Sequence, residues 1–298
     1  MWHGVYPAIT SKFTEEDDLD LSIFEKNLQA QVLAGVDGII IGGSLGEAST
    51  LTENEKFSLA EFALQQAGSK IKVVFNIAEQ STRVAIKQAE RAEKSGVAGL
   101  MILPPLRYLA DERETVTFFK SIARATSLPV MIYNNPIDYK INVTPDMFEE
   151  LSGQSNINAI KDSSRDTTNI TRMINRFGDR YKILCGVDTL AFESLLLGAN
   201  GWVAGLVCAF PNETVAIYRL IMANRIPEAR KIFRWFLPLL ELDIHPKLVQ
   251  YIKLAESVTG LGTEWVRPPR LPLKGEERQR ILSIIKEGIA NRPELPRI

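Results

Sequence analysis

The chain has 298 residues, of which 45% are hydrophobic and 24% charged, and its formal net charge is -1. The near-neutral balance argues against nucleic acid or a membrane surface as a partner, because such partners usually require a basic patch. Two cysteines, Cys185 and Cys208, form no disulfide scaffold and suit a reducing compartment. There is no signal-peptide pattern and no apolar run near the roughly 20 residues of a membrane span, so we expect a soluble cytoplasmic protein.

Short apolar runs alternate with longer amphipathic segments along the first two-thirds of the chain. Several runs are nearly continuous in Val, Ile and Leu, which is typical of strands covered on both faces. We therefore predict eight strands, at residues 5–9, 38–42, 72–77, 99–103, 129–133, 157–161, 182–186 and 201–205.

The segments between these strands carry helix signals. Thr52 with Glu55 resembles a capping box before a helix at 56–67. Thr144 precedes Pro145, a residue suited to a first helical turn. A glycine that can end a helix in a left-handed cap, followed by a glycine that opens a strand, recurs at 34–39, 95–100 and 197–202.

Eight strands, each followed by a helix, predict an α/β fold of the parallel (β/α)8 TIM-barrel type, with an open doubly wound sheet as the alternative. After residue 205 we predict only helices, at 213–223, 227–242, 247–259 and 276–291. We assign residues 1–224 to the barrel and residues 225–298 to additional C-terminal helices packed on it. The apolar stretch 235–237 has packing on another subunit as its alternative.

Lys161 ends the sixth predicted strand and is followed by a polar turn. Active sites of such barrels lie at the carboxyl ends of the strands. Desolvation there favours the neutral amine, which can attack a carbonyl carbon and form a Schiff base. The alternative is a lysine that only ends a strand and reaches solvent.

Other candidates also follow strands. The glycines of 42–47 let backbone N–H groups face a small anion, although an ordinary glycine turn explains them equally well. Tyr133 ends the fifth strand and can transfer protons, and Tyr108 lies in the loop after the fourth; packing is the alternative for both. His3 and His245 are the only histidines, so a histidine-rich zinc site is excluded. Composition leaves a carboxylate-bound magnesium open, but no acidic cluster indicates one. We expect no metal or organic cofactor, because a lysine iminium can itself accept electrons.

Three motifs in order resemble the dihydrodipicolinate synthase and N-acetylneuraminate lyase family of Schiff-base lyases. They are Gly-Ser-Leu-Gly-Glu at 43–47, Tyr-Asn-Asn-Pro at 133–136 and Ile-Lys-Asp-Ser at 160–163. The resemblance implies Lys161 as the Schiff-base lysine, Tyr133 and Ser44 as proton-transfer groups, and Tyr108 as a tyrosine that completes the relay in a neighbouring subunit. It also implies that Ser44 and Leu45 bind the carboxylate of a 2-oxo acid, that Gly186 and Val203 line the pocket, and that the protein is a homo-oligomer, a tetramer or a dimer.

Two differences from the synthase motifs indicate which subfamily the chain resembles. The synthases carry an arginine two residues after the Tyr-Asn-x-Pro motif, where it holds the second substrate's carboxylate, whereas this chain has Asp138. Leu45 replaces the second of their paired threonines. A closer resemblance is to the 1-pyrroline-4-hydroxy-2-carboxylate deaminases, which share segments 174–180, 201–206 and 234–236.

We therefore expect Lys161 to attack a cyclic imine acid and to release ammonia and 2-oxoglutarate semialdehyde, as in hydroxyproline catabolism. Ser163 is expected to touch the substrate hydroxyl, with capping of the next helix by Ser163-Ser164 as the alternative. The competing functions are another lyase of the family, namely 4-hydroxy-tetrahydrodipicolinate synthase, a 2-oxo acid aldolase or a sugar-acid dehydratase. A non-catalytic 2-oxo acid binding protein is the alternative of a different class.

Overall fold

The predicted apolar runs form strands in the computed structural model, which describes residues 1–105 and 107–297. Nearly every strand residue is buried, because side chains fill the space inside the sheet and helices cover its outer face. The strands are β1 (Gly4–Pro7), β2 (Gly38–Ile41), β3 (Lys72–Ile77), β4 (Gly99–Ile102), β5 (Val130–Asn134), β6 (Ile157–Asp162), β7 (Lys182–Cys185) and β8 (Gly201–Ala204).

The eight strands form one parallel sheet in the order β1-β8-β7-β6-β5-β4-β3-β2. A parallel bridge between Ala8 and Ile40 joins the two edges of this sheet just beyond β1. The sheet is thereby rolled into a barrel. This topology confirms the predicted (β/α)8 fold and excludes the open doubly wound sheet.

Twelve α-helices alternate with and follow these strands in the described residues. No helix in that part of the chain is both long and apolar enough to cross a membrane. The helices are α1 (Leu21–Ala34), α2 (Glu53–Ala67), α3 (Thr82–Ser95), α4 (Glu112–Ala123), α5 (Pro136–Tyr139), α6 (Pro145–Leu151), α7 (Thr168–Phe177), α8 (Ala191–Leu196), α9 (Pro211–Met222), α10 (Ile226–Leu240), α11 (Leu248–Thr259) and α12 (Gly275–Ala290).

The glycine joins have the predicted backbone conformation. Gly35 and Gly96 end α1 and α3 in the left-handed region, with φ of 81° and 84°. Gly198 follows α8 with φ of 103°. A side chain is strained in this region, so glycine at these positions lets the chain leave each helix and enter the next strand within a few residues.

The predicted capping box starts α2. Thr52 accepts a hydrogen bond from the backbone of Glu55, and the Glu55 carboxylate accepts one from the backbone of Thr52 at 2.8 Å. The two contacts provide acceptors for two N–H groups that have no intrahelical hydrogen bond at the start of the helix. They hold the end of the loop that follows β2.

We expect Thr52→Ala to lower the free energy of unfolding by about 1 kcal/mol, because the variant loses the oxygen that caps α2. Urea unfolding followed by circular dichroism measures this change. The matched control is Thr167→Ala, since Thr167 stands at the start of α7 without a side-chain cap. Its effect should stay within about 0.5 kcal/mol. Equal losses in the two variants would contradict the assignment.

The C-terminal helices follow α9. Trp235 and Phe236 of α10 stack on each other, and both rings pack against Phe210, which directly precedes α9. The Trp235 indole donates to the Gly288 carbonyl of α12 at 2.9 Å. The apolar stretch thus packs within the chain.

The division of the chain into a barrel and C-terminal helices at residue 224 stays a prediction.

Candidate active site

A cavity of about 90 Å³ lies at the carboxyl ends of the strands. Since one water needs about 10–15 Å³ on the same measure, this space suits a small organic acid and not a nucleotide. Among the residues with predicted roles, its wall contains Ser44, Leu45, Tyr133, Lys161, Ser163, Gly186 and Val203. Residues from the second, fifth, sixth, seventh and eighth strand ends therefore meet where the barrel fold requires.

Lys161 is a buried amine at the base of this cavity. It pairs with Tyr133 in the register of β5 and β6, and its Nζ lies 3.9 Å from the centre of the tyrosine ring. Burial lowers the pKa of Lys161, an effect opposed by Tyr139 and by the carboxyl groups of Asp243 and Asp188. A larger share of neutral, nucleophilic amine is present at neutral pH than for an ordinary lysine.

Tyr133 lies beside this amine with its hydroxyl in a hydrogen bond. Asn135 Nδ2 donates to Tyr133 Oη at 3.1 Å and to Asp138 Oδ2 at 2.7 Å. Burial raises the pKa of Tyr133 to about 12. The tyrosine therefore holds its proton at neutral pH, next to the nitrogen on which a Schiff base would form.

Ser163 and Gly186 shape the wall beside Lys161. Ser163 Oγ donates to the Gly186 carbonyl at 2.9 Å. A Cβ at Gly186 would lie 2.2 Å from Ser163 Oγ and 2.7 Å from Lys161 Cε, so no side chain fits there. Ser163 does not cap the next helix: α7 begins at Thr168, and Ser164 Oγ donates to Asp162. The capping alternative for Ser163-Ser164 is therefore wrong.

Tyr139 is a site residue that sequence reasoning missed. It ends α5, lines the cavity and shares a hydrogen bond with Ser44 Oγ. Its ring meets that of Tyr133 edge-on, with centroids 5.6 Å apart, and burial raises the pKa of Tyr139 well above its usual range. Tyr139 therefore contacts both Ser44 and Tyr133.

We expect Ser44→Ala and Tyr139→Phe each to lower kcat by about 10- to 100-fold, since each removes one side of the same hydrogen bond. The double variant should be no slower than the slower single variant, because residues that act as a unit are not additive. Steady-state kinetics of the three variants tests this. Tyr218→Phe is the matched control, as the Tyr218 hydroxyl donates to the Asn200 carbonyl before β8 begins. Fully additive losses would contradict the pairing.

The loop after β2 supplies backbone donors at the cavity. Gly42 and Glu47 adopt left-handed conformations, with φ of 69° and 55°. The loop is closed by hydrogen bonds from the Glu47 and Ala48 N–H groups to the carbonyls of Ser44 and Gly43. No backbone acceptor in the described residues takes the Ser44 or Leu45 N–H, so both remain available to a carboxylate.

Tyr108 lies apart from the cavity within this chain. Its side chain is 59% exposed, and its hydroxyl donates to Glu114 Oε1 at 2.6 Å. The hydrogen bond to that acid raises the pKa of Tyr108. Its predicted part in a relay between subunits stays a prediction.

Asp243 is the second site residue that the sequence did not indicate. It lies in a 3₁₀ turn, Glu241–Ile244, between α10 and α11, and it lines the cavity. No strand end or motif marks it, so only the packing of the C-terminal helices on the barrel mouth brings it there. Within residues 1–105 and 107–297, no group of three or more His, Cys, Asp or Glu side chains is arranged to hold a metal ion.

A (β/α)8 barrel with a buried lysine facing a cavity at its strand ends defines a Schiff-base-forming lyase. The chain belongs to the dihydrodipicolinate synthetase family, whose model matches residues 1–288. It is 29% identical over 276 residues to the 4-hydroxy-tetrahydrodipicolinate synthase of Exiguobacterium sibiricum, covering 92% of each chain.

Two solved structures show the same architecture. Dihydrodipicolinate synthase DapA-2 of Bacillus anthracis matches with a TM-score of 0.93 at 26% identity, covering 99% of both chains. A prophage protein of this family from E. coli K12, solved in complex with pyruvate, matches with a TM-score of 0.91 at 25% identity, covering 97% of this chain and 99% of the other. The fold and the membership of the enzyme family are thus confirmed.

Proposed function

We propose that this lyase converts 1-pyrroline-4-hydroxy-2-carboxylate and water into 2-oxoglutarate semialdehyde and ammonia. The observation that carries the proposal is an acid, Asp138, in the cavity wall at the position where the synthases of the family have an arginine. A carboxylate there repels the carboxylate of a second substrate instead of binding it. The proposed substrate has one carboxylate, for which the Ser44 and Leu45 N–H groups are available.

The proposed reaction begins with attack of the neutral Lys161 amine on C2 of the cyclic imine. The C2 bond to the ring nitrogen breaks, and C2 becomes an iminium joined to Lys161 while the freed amine stays on C5. The positive iminium draws electrons from C3, which releases a proton and forms an enamine. No metal is needed for this step because the iminium itself accepts the electron pair.

The enamine then expels the C4 hydroxyl as water. The resulting double bond moves toward C5 and forms an imine with the free amine. Hydrolysis of that imine releases ammonia, and hydrolysis of the lysine iminium releases 2-oxoglutarate semialdehyde. One water is lost and two are consumed, so the net reaction takes up one water.

Tyr133 is proposed to carry protons to and from the lysine nitrogen and C3, because its hydroxyl holds its proton and the centre of its ring lies 3.9 Å from Lys161 Nζ. Ser44 and Tyr139, which share a hydrogen bond, are proposed to pass protons onward from Tyr133. Ser163 also lines the cavity, where its hydroxyl can contact the substrate. The assembly as a homo-oligomer and the cytoplasmic location stay predictions.

One observation favours a second candidate, 4-hydroxy-tetrahydrodipicolinate synthase. Arg165 also lines the cavity and offers a guanidinium to a second carboxylate, in place of the arginine that position 138 lacks. The curated relatives carry that name. The two candidates use the same lysine and differ in the second substrate and in the release of ammonia.

The deciding experiment is incubation of the protein with 1-pyrroline-4-hydroxy-2-carboxylate while ammonia and the semialdehyde are followed together. Pyruvate plus aspartate semialdehyde, and pyruvate release from a 4-hydroxy-2-oxo acid, are run in parallel. Equal yields of ammonia and semialdehyde support the deaminase. Condensation without ammonia supports the synthase, and pyruvate release supports an aldolase. Borohydride trapping on Lys161 without turnover of any substrate would instead indicate a binding protein.

A further inference from the structure

The carboxyl of Asp243 occupies space that the barrel leaves open for it. Gly205 directly follows β8, and a Cβ at this position would lie 2.2 Å from Asp243 Oδ1. Any larger residue at 205 would displace the acid from the cavity wall. Glycine at 205 therefore allows the turn after α10 to place a carboxyl group in the same cavity as Lys161.

This carboxyl has no protein partner in the described part of the chain. No hydrogen bond or ion pair there involves its oxygens, although the side chain is half-buried. Polar groups in such positions are normally hydrogen-bonded, since burial without a partner is costly. A carboxyl that faces a cavity without a partner is available to a polar group of a ligand.

Asp188 lies behind Asp243 and, unlike Asp243, accepts hydrogen bonds from the protein. Asp188 is fully buried and accepts hydrogen bonds from Trp202 Nε1 at 2.9 Å and from the backbone of Leu206 at 2.8 Å. The Gly205 N–H donates to both of its oxygens, at 3.1 and 3.2 Å. Three donors around one carboxylate stabilise its charged form.

Of these two acids, Asp243 is the one whose surroundings favour the protonated form. Burial raises the pKa of Asp243 well above its usual range, and the neighbouring charge of Asp188 raises it further. Asp138 acts in the same direction, whereas Arg165, and Lys161 when it is protonated, oppose it. Burial also raises the pKa of Asp188, but its three donors lower it. These effects favour the neutral carboxylic acid form of Asp243, which is the form that can donate a proton.

We propose that Asp243 is the acid that binds the substrate hydroxyl and protonates it as the bond from C4 to oxygen breaks. The inference rests on the proposed function. It adds the group that protonates the departing C4 hydroxyl, which the reaction above leaves unnamed. The enamine on Lys161 supplies the electron pair that forms the double bond between C3 and C4. The hydroxyl takes the Asp243 proton and leaves as water, and the proton later released from C5 restores the acid.

The test compares the wild-type protein with Asp243→Asn, which keeps the size of the side chain but cannot donate a proton to a leaving group. Three quantities are measured: ammonia release from 1-pyrroline-4-hydroxy-2-carboxylate, borohydride trapping with pyruvate, and solvent-deuterium exchange into the pyruvate methyl group. Pyruvate has no hydroxyl to expel, so the last two report Lys161 and Tyr133 chemistry alone. Glu241→Gln is the matched control, because it removes an exposed carboxyl from the same turn.

We expect ammonia release by Asp243→Asn to fall by about 10²- to 10⁴-fold, the usual range for loss of a general acid. Trapping and deuterium exchange should stay within about threefold of the wild type, which also shows that the variant is folded. Asp243→Leu, an apolar side chain of similar length, should behave in the same way. The control should retain all three activities.

Two results would overturn the inference while leaving the deaminase reaction intact. One is ammonia release by Asp243→Asn within threefold of the wild type. The other is a parallel loss of trapping, exchange and ammonia release in both Asp243 variants, which would mean that the residue acts through Lys161 or the fold. Absence of ammonia release by the wild-type protein is a different result, since it would refute the proposed function itself and the leaving-group role with it.

Discussion

Replacing Lys161 with alanine is expected to abolish turnover and borohydride trapping together. The variant lacks the only nucleophile for which we propose a covalent bond to the substrate, so no later step can begin. Lys161→Arg should be equally inactive, because the guanidinium keeps its charge and does not form a Schiff base. Mass spectrometry after borohydride treatment with pyruvate, together with the ammonia assay, measures both losses.

Lys161 differs from the other buried lysines in its surroundings. Lys12 and Lys253 are also fully buried, but each forms an ion pair with a glutamate, at 2.8 and 2.5 Å. In the described residues no carboxylate lies within ion-pair distance of Lys161, and it is Lys161 that lines the cavity. Burial without a paired acid favours the neutral form of the Lys161 amine.

The pH dependence of trapping follows from the same argument. Since burial lowers the pKa of Lys161, the amine becomes protonated only as the pH falls through this lowered value. As the pH is lowered, trapping with pyruvate should therefore decline at a lower pH than Schiff-base formation by an exposed lysine does. Lys182→Ala, on the exposed end of β7, is the control and should leave trapping unchanged. An adduct that persists in Lys161→Ala would place the Schiff base on another lysine.

Much of the barrel could be predicted from the sequence because its signals are local. A continuous apolar run, a glycine after a helix and a capping threonine each act within a few residues, and all eight strands and the Thr52 cap were found this way. Strand ends were less exact: the first strand was predicted to reach residue 9 but ends at Pro7, which is followed only by the bridge of Ala8.

The position of Lys161 could be predicted for a similar reason. In a parallel barrel every strand ends at the same face, so a polar residue that ends a strand must lie near the cavity. Tyr139 and Asp243 follow no such rule. Tyr139 reaches Ser44 because α5 turns back over the cavity, and Asp243 arrives from a turn between C-terminal helices, so both depend on packing between distant segments.

The largest expected effect on stability is that of Lys253→Met. Lys253 of α11 donates to Glu47 Oε1 and to the Trp265 carbonyl, and both charged side chains of the pair are fully buried. Removing the lysine leaves a buried carboxylate without its principal cation. We expect a loss of about 3–5 kcal/mol in the free energy of unfolding, as is typical when one partner of a buried pair is removed.

This pair also connects the C-terminal helices to the loop after β2, which we propose binds the substrate carboxylate. Glu47 ends the segment that contains Ser44 and Leu45, and its Oε2 accepts a hydrogen bond from the Arg267 backbone at 3.0 Å. Loss of the pair should therefore loosen the loop. We expect the remaining folded Lys253→Met protein to show a raised KM for the substrate carboxylate with a smaller change in kcat.

Urea unfolding of Lys253→Met, Glu47→Gln and the double variant tests the argument. The double variant should lose less stability than Lys253→Met alone, because the uncompensated charge is gone. Lys247→Met is the matched control: its pair with Glu277 on the surface is half-exposed and should contribute about 1 kcal/mol or less. Equal losses in the two lysine variants, or a double variant as unstable as the sum of its parts, would mean that the buried pair does not hold the loop and the helix together.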